Sequence, residues 1–248
     1  MNVEKGVAAG CSSTVVDLEA VSKRYGRVRA LQHVSLTVQA GERVALFGDN
    51  GAGKSTLLRL LAAAARADEG EIKLFSLPLT DYYSRSSKIR QSHSIGYQAG
   101  AAFFYSHLSV RENLHLYASL RGLSDPGQAV QLEMDRFSIT HFAGKRISEC
   151  SQGMARRAML ARAFLGQPSL LLLDEPTLGL DRSSCEALVR AVFSLLQLKP
   201  GTAVLFASHD ERFIERLATR VIELKEGRIV KDSESVLNSV LPLAARAD

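Results

Sequence analysis

Short apolar runs alternate along this chain with longer segments of helical pattern. Residues 170–173 are four leucines, which is typical of a strand buried on both faces of a parallel sheet. Asp125 followed by Pro126 suits the start of a helix. The predicted strands are 15–20, 34–38, 43–47, 71–75, 170–173 and 203–208, with a hairpin formed by 220–225 and 228–231. The predicted helices are 54–67, 110–121, 126–137, 153–165 and 182–198. This alternation predicts an α/β fold.

A glycine-rich segment follows the predicted strand 43–47 directly. It reads Gly48-Asp49-Asn50-Gly51-Ala52-Gly53-Lys54-Ser55-Thr56 and matches the pattern G-x-x-x-x-G-K-[ST]. The three glycines let the backbone turn so that several N–H groups point into one anion-sized nest, and the helix after them adds its positive N-terminal end. Lys54 is expected to bridge the β- and γ-phosphates and the Ser55 hydroxyl to ligate Mg²⁺. The alternative is an ordinary glycine-rich turn; the motif favours a nucleoside triphosphate site.

Two carboxylates end the leucine run, namely Asp174 and Glu175. A carboxylate at the carboxyl end of a buried parallel strand lies beside the phosphate loop, where a Mg²⁺-bound water needs an anion. That role suits Asp174. Glu175 points differently and is expected to polarise the attacking water. Both residues would also serve as N-caps of the next helix, and the phosphate loop favours the catalytic interpretation.

Composition limits the remaining possibilities. The 248 residues are 46% hydrophobic and 23% charged, as expected for one α/β unit, and no apolar stretch approaches the ~18 residues that span a bilayer. Cys11, Cys150 and Cys185 are scattered, which predicts neither a disulfide framework nor a zinc site and fits a reducing cytoplasm. The residues before Cys11 lack the apolar core of a signal sequence, so 1–13 is predicted to be a disordered tail. The net charge of +5 would suit any anionic partner.

Further motifs follow in a fixed order along the chain. They are Tyr25 ahead of the phosphate loop, Cys150-Ser151-Gln152-Gly153-Met154, Pro176-Thr177, Gly179-Leu180-Asp181, and Ser208-His209-Asp210. Together with the phosphate loop and Asp174, this order resembles the ATP-binding subunits of ABC transporters over nearly the whole chain. A histidine after a buried strand is by itself more often structural, but the motif order favours a functional His209.

The resemblance implies a fold and a domain organisation. The expected fold is α/β, a P-loop core with a mostly parallel sheet, an antiparallel N-terminal β subdomain and a helical lobe at about 101–155. The ATPase domain is expected to cover 14–235, and 236–248 to form a short C-terminal helix or tail.

The resemblance also implies ATP and Mg²⁺ as ligands and a head-to-tail dimer with two ATP molecules between the subunits. Tyr25 would stack on adenine, residues Gly48 to Thr56 would hold the phosphates, and Ser55 and Asp174 would hold Mg²⁺, the latter through water. Lys54, Glu175 and His209 are the expected catalytic residues. Ser151, Gly153 and Asp181 would complete the site of the partner subunit, with Ser151 and Gly153 donating to its γ-phosphate.

Two positions depart from the family pattern. Counting back from the segment 110–114 places the usual glutamine of the coupling loop at Gly100, whereas Gln98 lies two residues early. A glycine has no side chain with which to ligate Mg²⁺, so position 100 is not expected to supply the magnesium ligand of the family's coupling loop. The signature has Gln152 and Met154 where glycine and glutamine are common, a variant that resembles export-type ATPases.

The function predicted from this resemblance is ATP hydrolysis that powers a separate membrane-spanning exporter. The expected substrate is haem, as in the exporter of cytochrome c maturation, or another small hydrophobic compound. The alternative within the same class is the subunit of a drug, polysaccharide or lipid exporter. The chain would lie peripherally on the cytoplasmic face of the inner (plasma) membrane. The alternative is a soluble ABC ATPase that acts on nucleic acid or in repair, but those relatives carry two cassettes or long insertions that this chain lacks, so no nucleic acid is expected. A catalytically quiet regulator is disfavoured because the catalytic residues are present.

Three successive aromatic residues lie before the predicted helix at 110: Phe103, Phe104 and Tyr105. Successive side chains diverge in any regular structure, so at least one of the three is expected to be exposed. In the family, the matching region forms a groove for a coupling helix of the permease. We therefore expect these residues to line a docking groove.

Overall fold

The computed structural model describes residues 14–84, 93–99 and 104–233. Several expectations lie outside these described residues. They are the tail 1–13 with Cys11, the segment 236–248, Gly100 and Phe103. The boundaries expected for the ATPase domain and for the helical lobe stay predictions.

The N-terminal part of the chain forms an antiparallel sheet of four strands in the order β2-β1-β4-β5. Its strands are β1 (Thr14–Tyr25), β2 (Val28–Gln39), β4 (Glu69–Leu74) and β5 (Leu77–Pro78). β1 and β2 are twelve residues each and much longer than predicted, because register shifts between Leu18 and Lys23 interrupt the alternation of apolar and polar positions on which the prediction relied. The expected antiparallel β subdomain is confirmed.

The second sheet has six strands in the order β10-β9-β3-β8-β7-β6. They are β3 (Arg43–Phe47), β6 (Ile95–Gln98), β7 (Leu170–Asp174), β8 (Ala203–Ala207), β9 (Arg220–Lys225) and β10 (Arg228–Ser233). All described neighbours are parallel except β9 and β10, which form the predicted antiparallel hairpin. The mostly parallel core sheet is therefore confirmed, and β6 is a strand that the sequence pattern did not identify.

Seven α-helices surround these sheets within the described residues. They are α1 (Lys54–Leu61), α2 (Leu79–Ser84), α3 (Val110–Leu120), α4 (Pro126–Arg136), α5 (Gln152–Phe164), α6 (Arg182–Leu198) and α7 (Glu211–Leu217). The prediction of a helix over 54–67 was wrong in length. α1 ends at Leu61, and Ala63 has a φ of 51°, which no right-handed helix contains. The alanine run therefore forms a loop despite its helical propensity, and α2 and α7 were not predicted.

The core sheet separates two apolar clusters, and β7 contributes to both. Leu171 and Leu173 pack into the cluster that contains α3 to α6, whereas Leu170 and Leu172 pack into the cluster shared with α1 and the antiparallel sheet. This alternation is the period of two expected of a strand. Because β3, β7 and β8 are parallel neighbours, their carboxyl ends, and the functional residues that follow them, lie at one edge of the sheet.

Candidate nucleotide-binding site

The glycine-rich loop connects β3 to α1 and needs its glycines at two close approaches. Gly48 has a φ of 138°, and a Cβ placed there would lie 2.1 Å from the Leu224 carbonyl oxygen. Gly53 has a φ of 110°, and its Cβ would lie 2.6 Å from the Ala30 carbonyl oxygen. The loop is therefore packed against β9 and β2 in a conformation that side chains would exclude. This packing fixes the direction of the loop's N–H groups.

Lys54 is the first residue of α1 and is almost fully buried. Its Nζ donates to the carbonyl oxygens of Gly48 at 2.5 Å and Asp49 at 3.0 Å, so the ammonium group lies within the loop. Burial lowers the pKa of Lys54, although the negative charges of Glu175, Asp174 and Asp49 act in the opposite direction. The ammonium group is therefore already partly removed from water and surrounded by groups of the site.

Ser55 and Asp174 lie together although 119 positions separate them in the sequence. The Ser55 hydroxyl donates to Asp174 Oδ1 at 2.9 Å. A hydroxyl and a carboxylate oxygen are the hard ligands that Mg²⁺ accepts, and protein sites for Mg²⁺ commonly supply only one or two such groups beside a phosphate. The pair thus fits the cation expected from the sequence. Among the described residues, no cluster of three or more His, Cys, Asp and Glu side chains could hold a metal by itself.

Glu175 and His209 form the other half of this edge. Glu175 has a φ of 48°, an uncommon conformation for a residue with a side chain. Its Oε1 lies 3.2 Å from His209 Nε2, and its Oε2 accepts from the His209 backbone N–H at 3.3 Å. His209 Nε2 also lies 3.0 Å from Asn50 Oδ1 and 3.3 Å from Lys54 Nζ. The structure thus brings together the phosphate loop, the end of β7 and the end of β8.

Gln98 contributes a contact that the sequence pattern did not assign. It is the last residue of β6, is 3% exposed, and its Oε1 accepts from the Asp174 backbone N–H at 3.1 Å. The family pattern places the relevant glutamine at position 100, outside the described residues, so spacing alone pointed away from Gln98. The signal that could have identified it is its place at the carboxyl end of a strand that pairs with β7.

The remaining predicted residues lie in two other places. Tyr25 ends β1 and is 45% exposed, with Lys23 Nζ 5.4 Å from its ring centroid. Ser151 caps α5, where its hydroxyl accepts from the Met154 N–H at 3.2 Å. A Cβ on Gly153 would lie 3.8 Å from the Gly179 carbonyl oxygen, so the start of α5 is near the loop before α6.

Asp181 caps α6 at the end of that loop and accepts from the Ser184 N–H at 2.7 Å and the Ser183 hydroxyl at 2.9 Å. These hydrogen bonds lower the pKa of Asp181. Within the described parts of the chain, no hydrogen bond or ion pair joins Ser151, Gly153 or Asp181 to the phosphate loop.

Among the described helices, none has both the length and the apolar composition required to cross a bilayer.

Comparison with known proteins agrees with the fold. Residues 31–178 match the family model described as ABC transporter. The chain is 35% identical over 228 residues to the hemin import ATP-binding protein HmuV of Bradyrhizobium diazoefficiens, covering 89% of this chain and 83% of that protein. It is 34% identical over 223 residues to the Nod factor export ATP-binding protein I of Burkholderia lata, covering 88% of this chain and 70% of that protein.

A solved structure of similar fold is the dimeric structure of MJ0796, a bacterial ABC transporter cassette. Its TM-score is 0.78 at 23% identity, with 88% of this chain and 98% of that chain covered. The expected architecture of an ABC ATPase is confirmed by this likeness. By its family match and its relatives, the chain belongs to the ABC transporter family as an ATP-binding, ATP-hydrolysing subunit.

Proposed function

We propose that this chain hydrolyses ATP at the edge of its core sheet, in a site completed by a second copy, and thereby powers a membrane-spanning exporter. The observation that supports the hydrolytic site best is the meeting of Lys54, Ser55, Asp174, Glu175 and His209 around the glycine-rich loop.

The phosphate loop would hold the triphosphate. Residues Gly48 to Thr56 offer backbone N–H groups in a loop that is fixed by close packing, and α1 adds its positive end to the same anion. Lys54 would exchange its bonds to two loop carbonyl oxygens for β- and γ-phosphate oxygens at little cost, because its ammonium group is already largely removed from water. Tyr25, which is exposed at the end of β1, would offer its ring to adenine.

Ser55 and Asp174 would hold magnesium, Ser55 directly and Asp174 through a water molecule. The chemistry that a magnesium ion supplies in such a site is neutralisation of the charge on the phosphate oxygens. Asp174 is fixed for this role from two sides, since its carboxylate accepts from Ser55 and its backbone N–H donates to Gln98.

Glu175 would orient the attacking water, and His209 would contact the γ-phosphate. Glu175 Oε1 and Asn50 Oδ1 both lie within hydrogen-bond distance of His209 Nε2 and would accept from it in the tautomer with the proton on that nitrogen, whereas Lys54 Nζ, 3.3 Å away, would donate to it in the other tautomer. We propose the first tautomer for the nucleotide-bound site, where Lys54 would bond phosphate instead. In that form His209 presents a donor in the space beside Lys54, where the terminal phosphate is expected. Glu175 lies next to His209, and its carboxylate can only accept hydrogen bonds. It would therefore accept from the attacking water and orient it.

Ser151, Gly153 and Asp181 would act on the nucleotide of the partner subunit. They lie at the N-termini of α5 and α6, where free backbone N–H groups and the helix dipole favour an anion. A head-to-tail pair of chains would place each of these helix ends against the phosphate loop of the other chain. This arrangement gives a role to motif residues that, within the described residues, have no hydrogen bond or ion pair to their own chain's phosphate loop.

For the transport step we propose export, through a permease that binds this chain at the cytoplasmic face of the inner (plasma) membrane. The Gly153-Met154 form of the signature, which resembles export-type ATPases, supports this direction, and haem or another small hydrophobic compound is the proposed substrate class. Relatives named for import and for export have nearly equal identity to this chain, so the direction rests on the signature alone.

The test of the hydrolytic site is Glu175→Gln, which keeps the shape of the side chain and removes its charge. We expect this variant to bind ATP as the parent does. Its rate of hydrolysis should fall by at least about 10²-fold, which is the contribution of a general base. Single-turnover hydrolysis and nucleotide binding by fluorescence measure the two quantities separately. Glu186→Gln, which changes a partly exposed carboxylate on α6 in the same way, is the control. Parental hydrolysis by Glu175→Gln would remove Glu175 from the mechanism.

A further inference from the structure

Two arginines contact the outer edge of β6, which is the last strand of the core sheet among the described residues. Arg121, at the end of α3, donates to the Ile95 carbonyl oxygen at 2.7 Å and also to that of Leu165. Arg162, on α5, donates to the Tyr97 carbonyl oxygen at 2.9 Å. Residues two apart in a strand present their carbonyl groups to the same edge, and at a sheet edge these groups have no neighbouring strand. The two guanidinium groups therefore occupy the position that another strand would have.

The guanidinium group of Arg162 is fixed by aromatic rings as well. Its Cζ lies 4.9 Å from the ring centroid of Tyr117 and 5.5 Å from that of Phe104, and the residue is only 6% exposed. A planar cation in contact with two rings away from water is strongly restrained. Tyr117 belongs to α3 and Phe104 precedes it, so the position of Arg162 depends on the helices outside the core sheet.

The next residue of β6 contacts the nucleotide site. Gln98 follows Tyr97 directly, is buried, and accepts from the Asp174 backbone N–H through Oε1. A shift of the Tyr97 carbonyl group would move the Gln98 backbone and lengthen that hydrogen bond. Arg162, Tyr97, Gln98 and Asp174 thus form a continuous series of contacts from the helices to the residue beside Ser55.

We propose that Arg162 is a positioning residue for ATP hydrolysis, which holds the end of β6 so that Gln98 fixes the backbone of Asp174. The assignment of Asp174 to the magnesium side of the site rests on the proposed function above. Arg162 itself touches neither nucleotide nor metal in this scheme. Movement of α3 or of the segment at Phe104 would reach Asp174 through Arg162.

The test compares Arg162→Lys with Arg121→Lys. Lysine keeps the charge in both positions but lacks the planar guanidinium group. At position 162 it therefore also loses the contact with the two rings. The two variants are matched, because each weakens the bonding of one arginine to one β6 carbonyl group, and only Arg162 bonds the residue next to Gln98. Gln98→Leu removes the acceptor of the Asp174 N–H and gives the effect expected at the end of the series.

The primary measurement is hydrogen exchange of the Asp174 amide in the full chain without nucleotide, with kcat and KM for ATP at saturating Mg²⁺ as the second. We expect Arg162→Lys and Gln98→Leu to speed this exchange about five- to tenfold, the equivalent of one hydrogen bond, and to lower kcat with little change in KM. The double variant should exchange no faster than Gln98→Leu, because both changes act on the same bond. Arg121→Lys should leave the Asp174 amide and kcat at their parental values.

Unchanged exchange at Asp174 in Arg162→Lys would overturn the proposal, and so would an equal increase in Arg121→Lys, since that would indicate general loosening of the sheet. Additive effects in the double variant would show that Arg162 does not act through Gln98. If the parent chain failed to hydrolyse ATP, the proposed function would fail, while the exchange comparison would still decide whether Arg162 positions Asp174.

Discussion

Lys54 is buried and contacts three groups of the nucleotide site. Replacing it is therefore the most direct test of charge in phosphate binding. Its Nζ bonds two loop carbonyl oxygens and lies next to His209. We expect Lys54→Ala to weaken ATP binding about a hundredfold or more, because charge-assisted bonds to phosphate are lost without a replacement cation. Equilibrium binding of a fluorescent ATP analogue measures this. Lys225→Ala, an exposed lysine at the end of β9, is the control. Parental affinity in Lys54→Ala would exclude Lys54 from phosphate binding.

At this scale, residues close in the sequence were predicted and distant contacts were not. The spacing of Gly48, Gly53 and Lys54 specifies the loop, because a phosphate nest needs these residue types at adjacent positions. The contact of Glu175 with His209 and that of Gln98 with Asp174 depend on which strands are neighbours in the sheet. A single sequence does not contain the strand order, so the chemistry of these residues could be anticipated but their partners could not.

Among the elements, those with a clear period were predicted and those governed by local packing were not. The buried strands β7 and β8 have uniform apolar sequences, and α4 has both an N-cap and a proline at its start. α1 stops after Leu61 because Ala63 takes a positive φ and Ala64 N–H bonds back to the Arg59 carbonyl oxygen. Alanine favours a helix by propensity, but this left-handed C-terminal cap ends α1 within the alanine run.

Helix α4 contains a buried carboxylate whose ionisation should make stability depend on pH. Burial raises the pKa of Glu133 to about 7 from 4.5, although Arg136, which it contacts at 2.9 Å, lowers it. At pH values between 4.5 and about 7, Glu133 binds more protons in the folded state than in the unfolded state. Rising pH therefore destabilises the fold through this residue. Glutamine at the same position does not titrate.

We therefore expect Glu133→Gln to gain stability relative to the parent as pH rises from 4.5 to 8, by about 3 kcal/mol. Denaturant unfolding of both proteins at several pH values measures the difference. Glu186→Gln, at a partly exposed position on α6, is the control and should follow the parent. A constant difference between Glu133→Gln and the parent across this pH range would contradict the pKa assigned to Glu133.

At the scale of the whole molecule, the proposed dimer depends on the exposed end of α5. We expect Glu175→Gln to form a dimer with ATP, since slow hydrolysis keeps the terminal phosphate between the two chains. Adding Ser151→Arg should prevent it by placing bulk at the contact. Ser151→Ala in the same background controls for loss of the helix cap, which costs about 1 kcal/mol and should leave dimers detectable. Light scattering at saturating ATP distinguishes the two masses. A monomer in the absence of Ser151→Arg would contradict the proposed assembly.

The segment before α3 is the proposed surface for the permease, and its two described aromatic residues differ in burial. Phe104 is half-buried and packs on Tyr117 and Arg162, whereas Tyr105 is 50% exposed. The Tyr105 backbone is held separately, because its N–H donates to the buried Asn113 side chain at 2.9 Å and its carbonyl oxygen accepts from it at 3.0 Å. The ring of Tyr105 can therefore be removed without loss of the loop's anchor, and an exposed aromatic with a fixed backbone suits a partner interface.

We expect Tyr105→Ala to lower the yield of co-purified permease and the rate of transport, and to leave the ATPase activity of the chain alone at its parental value. The reason is that its ring contacts His107, and within the described residues no hydrogen bond or ring contact joins that ring to the phosphate loop, Asp174, Glu175 or His209. Phe193→Ala, which removes a 39% exposed aromatic from α6, is the control and should affect neither quantity. Pull-down of the permease and transport in vesicles provide the measurements. Parental yield and normal transport with Tyr105→Ala would place the docking surface away from the segment before α3.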